Sequence, residues 1–225
     1  MSSVSWSQEG LTNNKILKII NGNKQSGYNI GMWNCRRGLV DAENKPSTKM
    51  VEVRNFMENE KLHLCCLVEA DLHGPTSRYR RRHPLSTKDI ENNLGIPGYK
   101  VLLPKSWEVH GQARVLLYAK DELQVKIRDL EKQNSDLQNI TCEISLGREK
   151  KTVVSYFYRD FTGGVSGLRD LAAQVKRWTR QTRLWKNISK GNKDVLCLGD
   201  ANLCAERWNE ENFKDKELAE ITHNF

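Results

Sequence analysis

The sequence predicts an α/β (α+β) protein of two mixed β-sheets packed face to face and flanked by helices. Three observations carry this. Strand patterns recur along most of the chain, helical patterns separate only some of them, and the runs 99–103, 113–119 and 123–127 read as successive hairpins. A doubly wound parallel sheet would alternate helix and strand throughout.

Residues 8–20 read as a short helix or an ordered lead-in, so that 1–26 precede a domain spanning 27–225. The first strand pattern is 28–33. Residues 49–60 then place Met50, Val53, Phe56 and Met57 on one apolar helical face. Strand patterns follow at 62–68, 99–103, 113–119, 123–127, 140–144, 152–158 and 194–198. Residues 168–189 carry Leu168, Leu171, Ala172, Val175, Trp178, Thr182 and Trp185, the stripe of a long helix. Residues 209–223 form a weaker final helix with Asn209 as its N-cap. The stretches 38–47, 74–93 and 161–167 hold turn residues and read as loops.

A chain of 225 residues can bury a substantial core, and no linker divides it. With 38% hydrophobic and 28% charged residues it is neither disordered nor fibrous. The net charge of +8 favours a polyanionic partner, either nucleic acid or an anionic membrane surface. No apolar run approaches the ~20 residues of a membrane span. The polar residues 1–10 make no secretory signal. Cys35, Cys65, Cys66, Cys142, Cys197 and Cys204 mostly sit in strand-like runs without CxxC spacing. They read as buried free thiols of a reducing compartment, hence an intracellular location, the nucleus included.

Chemistry gathers at strand ends. Leu198-Gly199-Asp200-Ala201-Asn202 follows the apolar run Val195-Leu196-Cys197. Alternation sends Asp200 and Asn202 off the backbone in the same direction. An Asp can orient or deprotonate a water and an Asn can donate to an anionic oxygen, which suits phosphoester hydrolysis. Alone, Asp-x-Asn after a strand is more often turn chemistry. Three further strand ends are polar: Asn34 after Trp33, Glu69 after Leu64-Cys65-Cys66-Leu67-Val68, and Tyr158-Arg159 after Val153-Val154-Ser155-Tyr156-Phe157. Each has a plainer reading, as a turn cap, a solvent-reaching carboxylate or a surface aromatic. The ordered series Asn, Glu, Tyr, Asp-x-Asn is harder to assign to chance. A carboxylate with an open coordination sphere suits Mg²⁺, and phosphodiester hydrolysis needs charge-stabilising donors and an activated water.

The series Trp33-Asn34-Cys35-Arg36, Leu67-Val68-Glu69-Ala70, Ser155-Tyr156-Phe157-Tyr158-Arg159 and Leu198-Gly199-Asp200-Ala201-Asn202 resembles the endonuclease/exonuclease/phosphatase superfamily. Within it the likeness is to the apurinic-like endonuclease domains of non-LTR (LINE-type) retrotransposons, and it runs from about Tyr28 to Trp208. The resemblance implies two mixed sheets packed face to face and Mg²⁺-dependent phosphodiester cleavage. It implies that Glu69 binds the metal and that Asn34 helps hold the metal–water–phosphate network. Tyr158, with Tyr156 as the alternative two residues before it, would contact the scissile phosphate. Asp200 would orient or activate the attacking water, and Asn202 would donate to a non-bridging oxygen.

The family pattern continues past the Gly-Asp-x-Asn motif to an Asp-His pair. Here the residues after Asn202 read as helical, and the late His223 has no Asp before it. The fold is therefore expected to be truncated after the Gly-Asp-x-Asn strand, and the isolated chain to be unstable or to need a partner. Catalytic competence is in question for the same reason.

Arg78-Tyr79-Arg80-Arg81-Arg82-His83 lies shortly after Glu69, and its cations can neutralise phosphates while the tyrosine stacks on a base. A solvated loop is the plainer alternative. The leading expectation is a Mg²⁺-dependent DNA endonuclease that nicks the phosphodiester backbone, from a retrotransposon-derived, reverse-transcriptase-associated protein. It would contact DNA through phosphates and need no membrane and no cofactor beyond the metal. Two alternatives stand beside it: a catalytically dead nucleic-acid-binding remnant, and a phosphatase or lipid phosphodiesterase of the same superfamily.

Overall fold

Hydrogen-bonded ladders gather the strands of this computed structural model into two sheets. The structure describes residues 3–7, 14–20, 27–36, 38–76, 84–128, 137–145, 151–159, 179–180, 183, 186–187 and 194–200. Among these run β1 (Ser3–Ser7), β2 (Asn14–Ile20), β3 (Gly27–Asn34), α1 (Thr48–Asn59), β4 (Leu64–His73), α2 (Thr87–Leu94) and β5 (Tyr99–Leu102). They continue as α3 (Lys105–His110), β6 (Gln112–Lys120), β7 (Gln124–Ile127), β8 (Leu137–Ser145), β9 (Thr152–Arg159) and β10 (Asp194–Asp200). One sheet has the order β1-β2-β3-β4-β6-β5 and the other β10-β9-β8-β7. The β3/β4 and β9/β10 pairs are parallel and the remaining pairs antiparallel, so both sheets are mixed.

The residue pattern explains the layering. Leu64, Cys66 and Val68 of β4 join Tyr28, Ile30 and Met32 of β3 and Val115, Leu117 and Ala119 of β6. Against them lie Ile140, Cys142 and Ile144 of β8, Val154, Tyr156 and Tyr158 of β9 and Leu198 of β10. This is the inter-sheet layer. The other face of the larger sheet, Cys65, Leu67, Leu116 and Tyr118, packs under Met50, Val53 and Met57 of α1, Ile90 and Leu94 of α2 and Trp107 of α3. A central strand covered on both faces is a continuous apolar run, as Leu64–Val68 is. Each such large side chain contributes about 1.5–3 kcal/mol by leaving water.

Several expectations need correction. Residues 14–20 form an antiparallel strand on β3 and no helix, so the stretch 1–26 supplies two strands to the sheet. Ile16, Ile19 and Ile20 are β-branched and favour extended backbone, which the short helical reading overlooked. The loop expected over 74–93 contains all of α2 but its last residue, Leu94, and the N-cap Ser86 and Asp89 form a reciprocal capping box. Helix α3 lies where no helix was expected, and its C-cap Gly111 takes a left-handed φ of 58°. β4 does not end at Val68 but continues through a bulge to His73. The helix expected over 49–60 is α1. Of the stretch 168–189 only isolated helical residues from Thr179 to Asn187 are described, and 209–223 lies outside the described residues.

Candidate active site

The parallel ladder between β3 and β4 ends beside two polar residues. Cys35 N donates to Val68 O at 2.8 Å, carrying the pairing one step beyond Asn34. There Arg36 N donates to Asn34 Oδ1 at 2.8 Å, closing a local turn. The other end of the same amide, Asn34 Nδ2, donates to Glu69 Oε1 at 2.9 Å. Turn chemistry and site chemistry are thus carried by one side chain. Lys49 Nζ from α1 donates to the Cys35 carbonyl, tying that helix to the turn. Burial pushes the Cys35 thiol up to about 12 against the opposing charge of Lys49, so this sulfur is no nucleophile at neutral pH.

Glu69 sits inside the β4 bulge, between the paired residues Val68 and Leu72, with a left-handed φ of 54°; Asp71 follows with a φ of 51°. Non-glycine residues held there cost about 1–3 kcal/mol each and cluster at functional sites. The bulge re-aims the side chains that follow it. Asp71 Oδ1 lies 3.4 Å from His73 Nε2 and 4.0 Å from Arg114 Nε. The Arg114 guanidinium stands 5.7 Å from the Tyr158 ring centroid, and Arg114 N donates to Gln138 Oε1 at 2.6 Å. These contacts make a polar layer that closes the apolar inter-sheet core beside Glu69.

The smaller sheet brings its own strand end to this layer. β10 runs parallel to β9 in a register that sets Asp200 opposite Tyr158 and Gly199 opposite Phe157. A Cβ at Gly199 would lie 2.3 Å from the Phe157 carbonyl oxygen, so only glycine fits before Asp200 at this spacing. The structure thus brings Asn34 to Glu69 by a hydrogen bond, and Tyr158 to the backbone of Asp200 by strand register. Asn202, Arg78, Arg80, Arg81 and Arg82 lie outside the described residues. Tyr156, the alternative to Tyr158, is wholly buried in the core. The sequence reading missed Asp71, Arg114 and Gln138. A signal was present: Arg114 is a charged residue entering the apolar run Val115-Leu116-Leu117.

No protein-family model matches the sequence, and no curated protein matches it. Among solved structures, the AP endonuclease LMAP from Leishmania major is 15% identical; the match covers 87% of this chain and 66% of that one, with a TM-score of 0.56. The chain has the endonuclease/exonuclease/phosphatase fold. The endonuclease domain of TRAS1, a telomere-specific non-LTR retrotransposon, is 17% identical, with 88% and 70% of the two chains covered and a TM-score of 0.48. Danio rerio TDP2, solved with a single-strand DNA product, is 12% identical, with 86% and 64% covered and a TM-score of 0.48. The chain thus spans just under two thirds of the Leishmania enzyme and of the zebrafish protein.

Within this endonuclease/exonuclease/phosphatase fold, the described residues fit a hard divalent cation. The Glu69 carboxylate is half-buried and accepts a hydrogen bond from the neutral Asn34 amide. Mg²⁺ takes one or two carboxylates and keeps several waters. Among the described residues no group of three or more His, Cys, Asp or Glu gathers. Asp71, in contrast, is engaged by His73 and Arg114.

Proposed function

We propose that this chain carries a metal-dependent phosphodiesterase site for nucleic acid, a DNA-nicking endonuclease domain of the non-LTR retrotransposon type. The observation that carries the reading is the Asn34–Glu69 hydrogen bond, formed inside a strained bulge at the polar end of the inter-sheet layer. A carboxylate held by a neutral amide keeps its charge and a fixed direction, which is what a metal ligand requires. Bound Mg²⁺ would polarise a phosphoryl oxygen and make a water more acidic. Glu69 would hold it, and Asn34 would orient Glu69. Tyr158 would contact the phosphate, and the resemblance assigns Asp200 to the attacking water and Asn202 to a non-bridging oxygen. Arg78, Arg80, Arg81 and Arg82 would neutralise neighbouring DNA phosphates, in keeping with a net charge of +8.

Supercoiled plasmid with Mg²⁺ tests this. The wild-type chain is expected to convert it to open circles, and Glu69→Ala to do so about 10²-fold more slowly or worse. Equal rates from both proteins would refute the assignment. Salt-dependent DNA retention without nicking by the wild type would replace it with the binding-remnant reading. Selective turnover of a phosphorylated inositol or lipid would replace it with the phosphatase reading.

A further inference from the structure

We propose that Arg114 is a positioning residue: its guanidinium, set beside the Asp71 carboxylate at 4.0 Å, fixes the Tyr158 ring at the polar end of the inter-sheet layer. For its kinetic consequence the proposal rests on the phosphodiesterase reading above. The Arg114 side chain is 10% exposed, Asp71 15% and His73 6%. A cation this deep needs a counter-charge, and a well-packed apolar pair in its place is often at least as stable. Core stability therefore does not explain an arginine at this position.

The surrounding geometry gives it a task. Gln138 Oε1 accepts from Arg114 N, which fixes the backbone of β6 against β8 where the side chain departs. The β4 bulge brings Asp71 to Arg114 Nε, and His73 sits on the same carboxylate oxygen. At the far end the guanidinium lies within cation–π range of Tyr158, the ring that β9 presents opposite the Asp200 backbone. Two neighbouring strands, β4 and β9, thus bring a carboxylate and a ring face to one planar group, whose rigid fork is suited to engaging both.

The test has a readout independent of activity. In protein labelled with 3-fluorotyrosine, the ¹⁹F line of Tyr158 is the one lost in Tyr158→Phe. Arg114→Met and Asp71→Asn are expected to move that line and to leave Tyr28 and Tyr99 in place. In the plasmid assay Arg114→Met is expected to lower kcat about 10-fold or more with KM for DNA unchanged. In a Tyr158→Phe background the same change is expected to cost less than about 2-fold further, since both act through one contact. If Arg114→Met unfolds, Arg114→Lys carries the same readouts, because it keeps a charge for Asp71 and loses the planar fork. A Tyr158 line unmoved by loss of the guanidinium overturns the proposal, as do fully multiplicative losses in the double variant. Absence of nicking by the wild type counts against the phosphodiesterase reading alone, and the ¹⁹F shift then decides the proposal.

Discussion

Tyr156→Phe is expected to stabilise the protein. Tyr156 is wholly buried between the sheets, and its hydroxyl has no hydrogen-bond partner among the described residues. Burial also pushes this phenol well above its ordinary pKa, so it stays neutral. A buried hydroxyl without a partner carries a desolvation penalty of about 1–3 kcal/mol, whereas losing a satisfied hydrogen bond would cost about 0.5–1.5 kcal/mol. Phenylalanine keeps the ring packing and removes the oxygen, so the first effect wins. With an m-value of about 2–3 kcal/mol/M, the urea midpoint should rise by about 0.5–1 M. Tyr158→Phe, two residues away, keeps the ring that meets Arg114 and is expected to slow nicking, because it removes the hydroxyl that would contact the phosphate. A midpoint for Tyr156→Phe that falls by 0.3 M or more (about 0.7 kcal/mol at the same m-value) would refute the reasoning, because the hydroxyl would then have to be satisfied.

Gly199→Ala should destabilise by about 1–3 kcal/mol or more, because the new methyl meets the Phe157 backbone carbonyl rather than a side chain that can swing away. A wild-type melting temperature would mean that β10 does not pair with β9 in this register. His63 gives a pH signature. Its Nδ1 accepts from Asn29 N at 3.1 Å, and burial, helped by Lys120, lowers its pKa below 6.5. The unfolded chain therefore takes up the proton first as pH falls below 6.5, so the contribution is fully present above 6.5 and is lost on further acidification. His63→Asn keeps an acceptor that does not titrate, and its urea midpoint should fall less than that of the wild type between pH 7 and pH 5. Parallel falls would exclude His63 as the source.

Much of the fold was legible because its signals are local. Leu64–Val68 and Val153–Phe157 are unbroken apolar runs, and the Met50, Val53, Met57 spacing of α1 repeats at helical period. β2 was harder, since Asn14-Lys15-Ile16-Leu17-Lys18-Ile19-Ile20 satisfies a strand and a short amphipathic helix almost equally. Pairing with β3 decides it, and pairing is not a local property. α2 was legible and overlooked, because Ser86 and Asp89 have capping-box spacing ahead of Ile90. At the site, the order of polar strand ends pointed to Asn34 and Glu69, which the structure joins by a hydrogen bond. Asp71 escaped notice because the reading ended the strand at Val68. No pattern of alternation predicts where a strand takes up extra residues.

That bulge links the core to the chemistry. Before it, Leu64, Cys66 and Val68 face the opposite sheet; after it, Ala70 and Leu72 pack with the helix-covered core. An uninterrupted strand would send Ala70 and Leu72 between the sheets and Asp71 and His73 beneath α1 and α2. A carboxylate would then be buried there away from Arg114. Breaking up a buried ion pair in this way costs about 3–5 kcal/mol. Two left-handed residues cost about 1–3 kcal/mol each, so the two registers are of comparable energy before any function is counted. Glu69, at the turn of that bulge, is aimed at Asn34 as a consequence of the same register change. The strain and the site therefore have one origin, the polar residues that β4 carries beyond its apolar run.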